Sequence, residues 1–265
     1  RTPVTAGTND AAAEALSVGV DEPGDMMMMY GSTIFIILRP QKRIAAPRIW
    51  YAPWLFEGEH ASMAGLATSG TLTHWFRDQI ARDLPVNEAF PMLAEEAAAS
   101  PPGANGLLML PYFSGERTPI HDVHAKGAIF GLNLTHTRGD MYRALIEGIA
   151  HGTRHVTDTF AALGQSPQRL LAVGGGTKNA LWLQATSDIT GIDQIVCDKT
   201  EGASYGDAFM AALAVGLVAR KDIAKWNPVA RDVTTQPDAV YAAAHDLFRR
   251  LYEQTRDIAR ALGPE

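Results

Sequence analysis

Three turns rich in glycine and small polar residues each follow a stretch that predicts a strand. They lie at Gly7–Asp10, Gly31–Thr33 and Gly174–Asn179. Turns of this composition can aim backbone N–H groups at phosphate oxygens, and a helix that begins directly after the turn adds its N-terminal field. One such turn alone is more often a plain tight connection, because glycine is the default residue where φ is positive. Three in one chain weaken that plain interpretation.

The common nucleotide-binding motifs do not account for these turns. The sequence contains no G-x-x-x-x-G-K-[ST], which excludes a Walker-type phosphate loop. Gly174, Gly175 and Gly176 are followed by Thr177-Lys178-Asn179 and do not complete G-x-G-x-x-G, which excludes a Rossmann fingerprint. Any phosphate site at these turns must therefore belong to another fold.

Asp10 stands directly after the first turn and before Ala11–Val18, an alanine-rich stretch that predicts a helix. A carboxylate in that place can project from the sheet edge into a cleft and accept a proton, the role of a general base. It can also be the N-cap of the helix, for which aspartate is among the best residues. On the local sequence alone, the cap is the favoured interpretation.

Composition and charge limit the class of protein. The 265 residues carry 23 Lys+Arg and 29 Asp+Glu, a net charge of −6, with no basic cluster of five or more. Such a chain is a poor partner for nucleic acid. The most apolar stretch, Met26–Leu38, is too short to span a bilayer, so no membrane partner is expected. The single cysteine, Cys197, allows no internal disulfide, suits a cytoplasmic location, and is expected to be buried.

The pattern of apolar residues predicts alternating strands and helices. Near the N-terminus it indicates a short strand at Arg1–Ala6 and a β-meander formed by Met26–Tyr30, Thr33–Leu38 and Arg48–Trp54. Helices are predicted at 66–82, 86–99, 138–163, 179–190, 205–215 and 238–261, with strands after 106, near 128–130, and at 169–173 and 194–197. This order predicts a layered α/β domain.

Two stretches in the middle of the chain, within residues 106–147, resemble the signature of the FGGY carbohydrate kinases, in particular the xylulokinase-like members. The first is Gly106–Pro119, which ends in Gly-Glu-Arg-Thr-Pro. The second combines Gly127–Leu132 with Asp140–Glu147. At every position where the family's C-terminal signature requires a particular class of residue, this stretch has a residue of that class. The agreement extends from about Val4 to Gly216, so most of the chain shares it.

The resemblance implies a ribonuclease-H-like, actin-like ATPase domain, an α/β fold with a mixed sheet flanked by helices. Asp10 stands where the family keeps its catalytic aspartate, which reverses the local preference for a helix cap. Gly31, Ser32 and Thr33 stand where the family has Gly-Thr-Ser or a close variant, and they would meet the terminal phosphates of ATP. The other implied ATP-binding residues are Gly7 and Thr8, and, beside the α-phosphate and adenosine, Gly174, Gly175, Gly176 and Asn179.

The resemblance also implies that residues 1–265 form the C-terminal, nucleotide-binding domain of a two-domain kinase. The family's N-terminal domain opens with an Asp-x-Gly-Thr turn, which occurs nowhere in this chain. The implied reaction is ATP-dependent phosphorylation of a sugar or polyol hydroxyl, with a ketopentose such as xylulose as the favoured substrate. ATP and Mg²⁺ are the expected cofactors. The expected partners are the sugar, the N-terminal domain and, in a homodimer, a second copy, and the isolated chain is expected to be inactive.

A competing interpretation is a non-catalytic nucleotide-binding or scaffold module that kept the same architecture, since this fold also serves chaperones and filaments. The retained Asp10 argues against it. Two histidine pairs, His151 with His155 and His121 with His124, lack a third ligand, so no metal site is predicted in the protein.

Two sets of charged residues complete the candidate list. Arg117 has two interpretations. It contacts a phosphate or another domain, or it forms an ion pair with Glu116 that fixes the loop. The charges of the last helix predict a solvated face, formed by Arg249, Arg250, Glu253, Arg256 and Asp257.

Overall fold

The computed structural model describes residues 2–262, which form eight α-helices and nine β-strands. The strands are β1 (Asp25–Tyr30), β2 (Ile34–Leu38), β3 (Trp50–Pro53), β4 (His60–Leu66), β5 (Leu108–Leu110), β6 (Ala128–Phe130), β7 (Arg169–Val173), β8 (Gln194–Cys197) and β9 (Val229–Val233). The helices are α1 (Asp10–Ser17), α2 (Gly70–Ile80), α3 (Ala89–Ala98), α4 (Arg138–Ala162), α5 (Ala180–Thr190), α6 (Ala203–Ala214), α7 (Ile223–Trp226) and α8 (Ala239–Ala261).

Seven strands form one mixed sheet in the order β3-β4-β2-β1-β7-β8-β9. At its centre β1, β7 and β8 run parallel, and the other pairs are antiparallel. A separate antiparallel pair is formed by β5 and β6. The carboxyl ends of β1 and β7 meet at one edge of the sheet, where ligands of α/β folds usually bind. The second and third glycine-rich turns lie at this edge.

Helices cover both faces of the sheet, and the methionine run of β1 reflects this. Alternation along a strand sends successive side chains to opposite faces. Met26 and Met28 belong to the larger core, beneath α4 and α5, whereas Met27 belongs to a second core with α1. All three side chains are fully buried.

The signature residues near the start of α4 have structural roles. The helix begins with a capping box, in which the Thr137 hydroxyl accepts from the N–H of Asp140 and the Asp140 carboxylate accepts from the N–H of Thr137. Burial opposes ionisation, but hydrogen bonds from Ser100 and Thr137 lower the pKa of Asp140 to about 2. One turn later, buried Arg143 and Glu147 form an ion pair at 2.7 Å, and Arg143 also donates to the carbonyl oxygen of Ser100. These residues fix α4 to the loop after α3.

Two sequence predictions about strands are wrong. Arg1 lies outside the described residues, and residues 2–9 form no strand, because they are exposed and no strand of the sheet pairs with them. The three-stranded meander does not form, because β4 inserts between β2 and β3. In β4, Leu66 pairs with Ile34, so the helix predicted from Leu66 begins instead at Gly70.

The other predicted helices and strands are confirmed to within a few residues of their ends. The strand β9 has no counterpart in the sequence prediction, because it is a mostly exposed strand at the sheet edge and lacks a clear apolar pattern. Cys197 is buried, as expected. None of the helices within residues 2–262 is both long and apolar enough to cross a membrane.

Candidate active site

The turn between β1 and β2, Gly31–Thr33, rests on the start of α2. The carbonyl oxygens of Gly31 and Ser32 accept hydrogen bonds from three consecutive N–H groups, those of Ser69–Thr71, at distances between 2.9 and 3.2 Å. A trans peptide points its N–H away from its C=O. The N–H groups of Ser32 and Thr33 therefore face away from α2, and among residues 2–262 they have no acceptor, which leaves them able to bind an anion.

Gly70 positions this turn, and the sequence analysis missed it. A Cβ added to Gly70 would lie 2.5 Å from the carbonyl oxygen of Gly31, so glycine is what lets α2 approach the turn so closely. The sequence does indicate a fourth turn of this kind, because Thr68–Thr71 reads Thr-Ser-Gly-Thr and has the same residue types as Gly31–Thr33.

The glycine triplet follows β7, and Gly175–Lys178 forms a 3₁₀ turn before α5. Gly174 has a φ of +92°, and a Cβ there would lie 2.8 Å from the carbonyl oxygen of Tyr30, so this position requires glycine. Gly175 differs, because a Cβ added there would meet no protein atom within 4 Å. The middle glycine therefore faces open space.

A pocket of about 610 Å³ lies between the two turns and the helices α2 and α3. Five of the predicted ATP-binding residues line it: Gly31, Ser32, Gly175, Gly176 and Asn179. Aromatic walls are supplied by Tyr30, Phe90, Tyr142 and Trp182. Asn179 also caps α5, its Oδ1 accepting from the N–H of Trp182 at 3.1 Å. A mostly apolar pocket with a few convergent polar groups is the usual form of a small-molecule site.

Asp10 is the first residue of α1, and its side chain is exposed. The N-cap is Asn9, whose Oδ1 accepts from the N–H of Ala12 at 2.8 Å, so the local preference for Asp10 as the cap is wrong. Within residues 2–262 the Asp10 carboxylate accepts one hydrogen bond, from the N–H of Ala11 at 2.8 Å. The carboxylate is therefore accessible to a reactant.

A second pocket, of about 280 Å³, lies on the α1 side of the sheet. Gly175 and Lys178 line both pockets, whereas Gly174 lines the smaller one. The smaller pocket is also lined by Glu14, one helical turn after Asp10. Burial, and then the charge of Asp10, raise the pKa of Glu14. The turn after β7 thus borders two cavities, one on each side of the sheet edge.

Four predicted site residues line neither pocket: Gly7, Thr8, Asp10 and Thr33. Gly7 and Thr8 belong to the exposed segment before α1. The structure therefore brings the second and third turns together. It connects the first turn to them only through α1 and its residue Glu14.

Glu116 fixes the loop that holds the β1–β2 turn. Its Oε1 accepts from the N–H groups of Ala67, at 2.7 Å, and Arg117, at 2.6 Å, and Ala67 directly precedes the segment that contacts the turn. Burial raises the pKa of Glu116 to about 7. Of the two interpretations of Arg117, the ion pair with Glu116 is wrong, because within residues 2–262 the exposed Arg117 guanidinium has no carboxylate at ion-pair distance.

Burial keeps both paired histidines of α4 neutral at pH 7, although only His151 is a core residue and His155 is half-buried. His151 is fully buried beside His245, with ring centroids 5.5 Å apart, and burial lowers its pKa to about 3. Burial, with a smaller contribution from Arg249, lowers the pKa of His155 to about 4. In the described part of the chain, no group of three or more His, Cys, Asp or Glu side chains could hold a metal ion.

This burial predicts acid sensitivity. The pKa of His151 is about 3 in the folded protein against 6.5 in the unfolded chain, so the unfolded chain binds the proton first as the pH falls. We expect the free energy of unfolding to decrease by about 1–3 kcal/mol between pH 6.5 and pH 4.5. Urea unfolding across this range measures the loss. His151→Leu should reduce the slope and leave the part that comes from His155, whereas a variant of the exposed His124, His124→Gln, should keep the full slope. Equal slopes in all three proteins would contradict the prediction.

Comparisons with known proteins identify the family of this chain. The model of the C-terminal domain of the FGGY family of carbohydrate kinases matches residues 26–215. A xylulose kinase from Bacillus subtilis is 29% identical over 273 residues, which cover 99% of this chain and 53% of the relative. A ribulokinase from Anoxybacillus flavithermus is 31% identical over 225 residues, which cover 81% of this chain and 40% of the relative. The crystal structure of a xylulose kinase from Rhodospirillum rubrum has a TM-score of 0.86 and 30% identity, covering 94% of this chain and 51% of that one.

The mixed sheet with helices on both faces is a ribonuclease-H-like domain of the actin-like ATPase type, as the resemblance implied. The chain belongs to the FGGY family of carbohydrate kinases. It spans about half the length of the curated relatives that it matches.

Proposed function

We propose that this chain is the nucleotide-binding, C-terminal half of an ATP-dependent sugar kinase. The observation that carries the proposal is the pocket of about 610 Å³, which unites the β1–β2 turn with the turn after β7. Its aromatic walls suit a nucleobase, and the free N–H groups of Ser32 and Thr33 suit phosphate oxygens. The adenosine would lie beside Gly175, Gly176 and Asn179, and the terminal phosphates beside Gly31–Thr33.

Phosphoryl transfer to a sugar needs a base that accepts the proton of the attacking hydroxyl. Asp10 is our candidate because its carboxylate is exposed and is engaged only by the neighbouring Ala11 N–H within the described residues. In the proposed reaction the hydroxyl oxygen forms a bond to the γ-phosphorus while the bond to the β–γ bridging oxygen breaks. The proton moves to Asp10, and ADP is the leaving group.

The residues present fit ATP with a phosphate-held Mg²⁺. This ion commonly takes one or two protein carboxylates together with substrate phosphates and water. Residues 2–262 contain no cluster that could hold a metal by protein ligands alone, so a carboxylate of the proposed N-terminal half would supply the protein ligand and leave Asp10 free to act as the base. When bound, Mg²⁺ would neutralise charge on the phosphates.

The substrate class that we propose is a ketopentose or a related polyol. Relatives named xylulose kinase and ribulokinase match 99% and 81% of this chain, and both names refer to ketopentose kinases. The contacts that would select one sugar are proposed to lie mainly in an N-terminal half.

The middle glycine of the triplet offers the sharpest test of nucleotide binding. We predict that Gly175→Val weakens ADP binding about tenfold or more, because the side chain enters a space that the ligand would occupy. The variant should fold normally, since an added Cβ meets no protein atom within 4 Å. Isothermal titration with ADP measures the affinity, and thermal unfolding checks the fold.

Gly175→Ala is the matched control for this prediction. A single methyl group at the same position should cause a smaller loss of ADP affinity, so the three proteins should form a graded series. If both variants bind ADP as tightly as the original chain, the turn is a structural connection and the proposed nucleotide site is wrong.

A further inference from the structure

A third pocket, of about 200 Å³, lies at the other end of α4. It is enclosed by the segment before β3, by the loop after β5, by α4 and by α8, and it shares no lining residue with the two pockets at the sheet edge. Its residue on α4 is His155, thirteen residues after Tyr142 of the nucleotide pocket. That separation is about 20 Å along the helix axis.

The lining of this third pocket is strongly basic. Arg48, Arg249 and Arg256 line it together with His155, against a single carboxylate, that of Glu253. In the described part of the chain neither Arg48 nor Arg249 forms an ion pair, and the Nε of Arg256 reaches only its neighbour Asp257, at 3.6 Å. The charged residues of the lining therefore sum to +2, and Asp257 offsets one of these charges from outside the pocket.

The charges that face His155 agree with this excess. Burial is the main cause of its lowered pKa, and the next contributions come from Arg249 and from His245, both on α8. Arg48, from the segment before β3, acts in the same direction, whereas Asp158 opposes them. The imidazole therefore lies in a field that disfavours a further positive charge and favours an anion.

We propose that this third pocket binds a small dianion through a phosphate group, either inorganic phosphate or a phosphate monoester. Guanidinium groups match phosphate oxygens with paired hydrogen bonds, which suits Arg48 and Arg249 to this ligand. The positive charge of the lining favours an anion, and Arg48 and Arg249 form no ion pair within residues 2–262 that a phosphate would have to displace. The volume, a third of that of the nucleotide pocket, admits a phosphate with a small substituent. The proposal stands apart from the proposed function, because the two sites share no residue.

The ring of His155 provides a local reporter for the test. The 265-residue chain is labelled with ¹⁵N-histidine, and the His155 signal is assigned by its loss in His155→Gln. Inorganic phosphate and glycerol 3-phosphate are titrated separately at pH 7.5, each against sodium chloride at equal ionic strength. We expect a saturable change in the His155 ring shifts with both phosphates and none with chloride. The tighter of the two phosphates identifies the source of the ligand.

Variants of the exposed arginines complete the test. Arg48→Gln and Arg249→Gln should each weaken phosphate binding about tenfold, and the double variant should abolish it. Arg250→Gln is the matched control, because Arg250 is an exposed residue of α8 that does not line the pocket. An equal response to chloride, or a double variant that binds phosphate like the original chain, would overturn the proposal.

Discussion

Replacement of Asp10 by asparagine should lower kcat of the assembled kinase by about 10²–10⁴-fold, the usual contribution of a general base. The assembled kinase joins this chain to the proposed N-terminal half. Asparagine has the shape of aspartate, and its side-chain oxygen can still accept the N–H of Ala11 at the 2.8 Å seen for Asp10. Folding and ADP affinity should therefore be preserved, because the residue lines neither pocket at the sheet edge. A coupled assay of ADP release with xylulose measures kcat.

Two neighbouring residues are the controls for this prediction. Asn9→Ala removes the true cap of α1 and should cost about 1 kcal/mol of stability with little effect on kcat. Glu14→Gln tests the competing carboxylate, which lines the smaller pocket one turn further along α1. Turnover of Asp10→Asn within a few-fold of the original would rule out Asp10 as the base, and a large loss in Glu14→Gln alone would move the role to that residue.

The elements that the sequence predicts best are those whose local pattern agrees with their final environment. The continuous apolar run Met26–Tyr30 is buried on both faces of the sheet, and the pattern of Arg138–Leu163 corresponds closely to α4. The glycine triplet is also predictable, because Gly174 has a positive φ. A Cβ added to Gly174 would lie only 2.8 Å from the carbonyl oxygen of Tyr30, so no other residue fits there. In these cases the residue types alone predict the backbone geometry that the structure has.

The features that the sequence does not predict depend on partners distant in the chain. The strand character of Leu66 comes from its pairing with Ile34, and the same residue also fits the apolar pattern of a helix. The cap of α1 is Asn9 although Asp10 is as good a capping residue, so only the backbone geometry distinguishes them. The basic pocket forms because the charged face of α8 lies against the segment before β3 in the folded chain. The sequence of α8 indicates only a solvated surface and does not show which segment lies beside it.

The isolated chain should fold, bind ADP or ATP weakly, and phosphorylate no sugar. Folding is expected because two cores, one on each face of the sheet, are complete within the chain. The chain supplies the proposed nucleotide pocket and the proposed base. The second phosphate turn and most of the sugar contacts are proposed to belong to the N-terminal half. Phosphoryl transfer requires both walls of the cleft to close around the reactants, so that in-line geometry and charge neutralisation coincide.

Addition of the N-terminal half should restore sugar-dependent ADP release, and a covalent tether should restore it most readily because the linker raises the effective concentration of the second domain. The measurement is a coupled ADP assay at saturating Mg-ATP with xylulose, ribulose and glycerol, performed on the chain alone, on the mixture and on the tethered protein. The tethered protein carrying Asp10→Asn is the matched control for contaminating kinases, because it keeps both domains and lacks the proposed base. Robust turnover by the chain alone, abolished by Asp10→Asn in the same chain, would mean that these 265 residues form a complete active site and that the proposal of half a cleft is wrong.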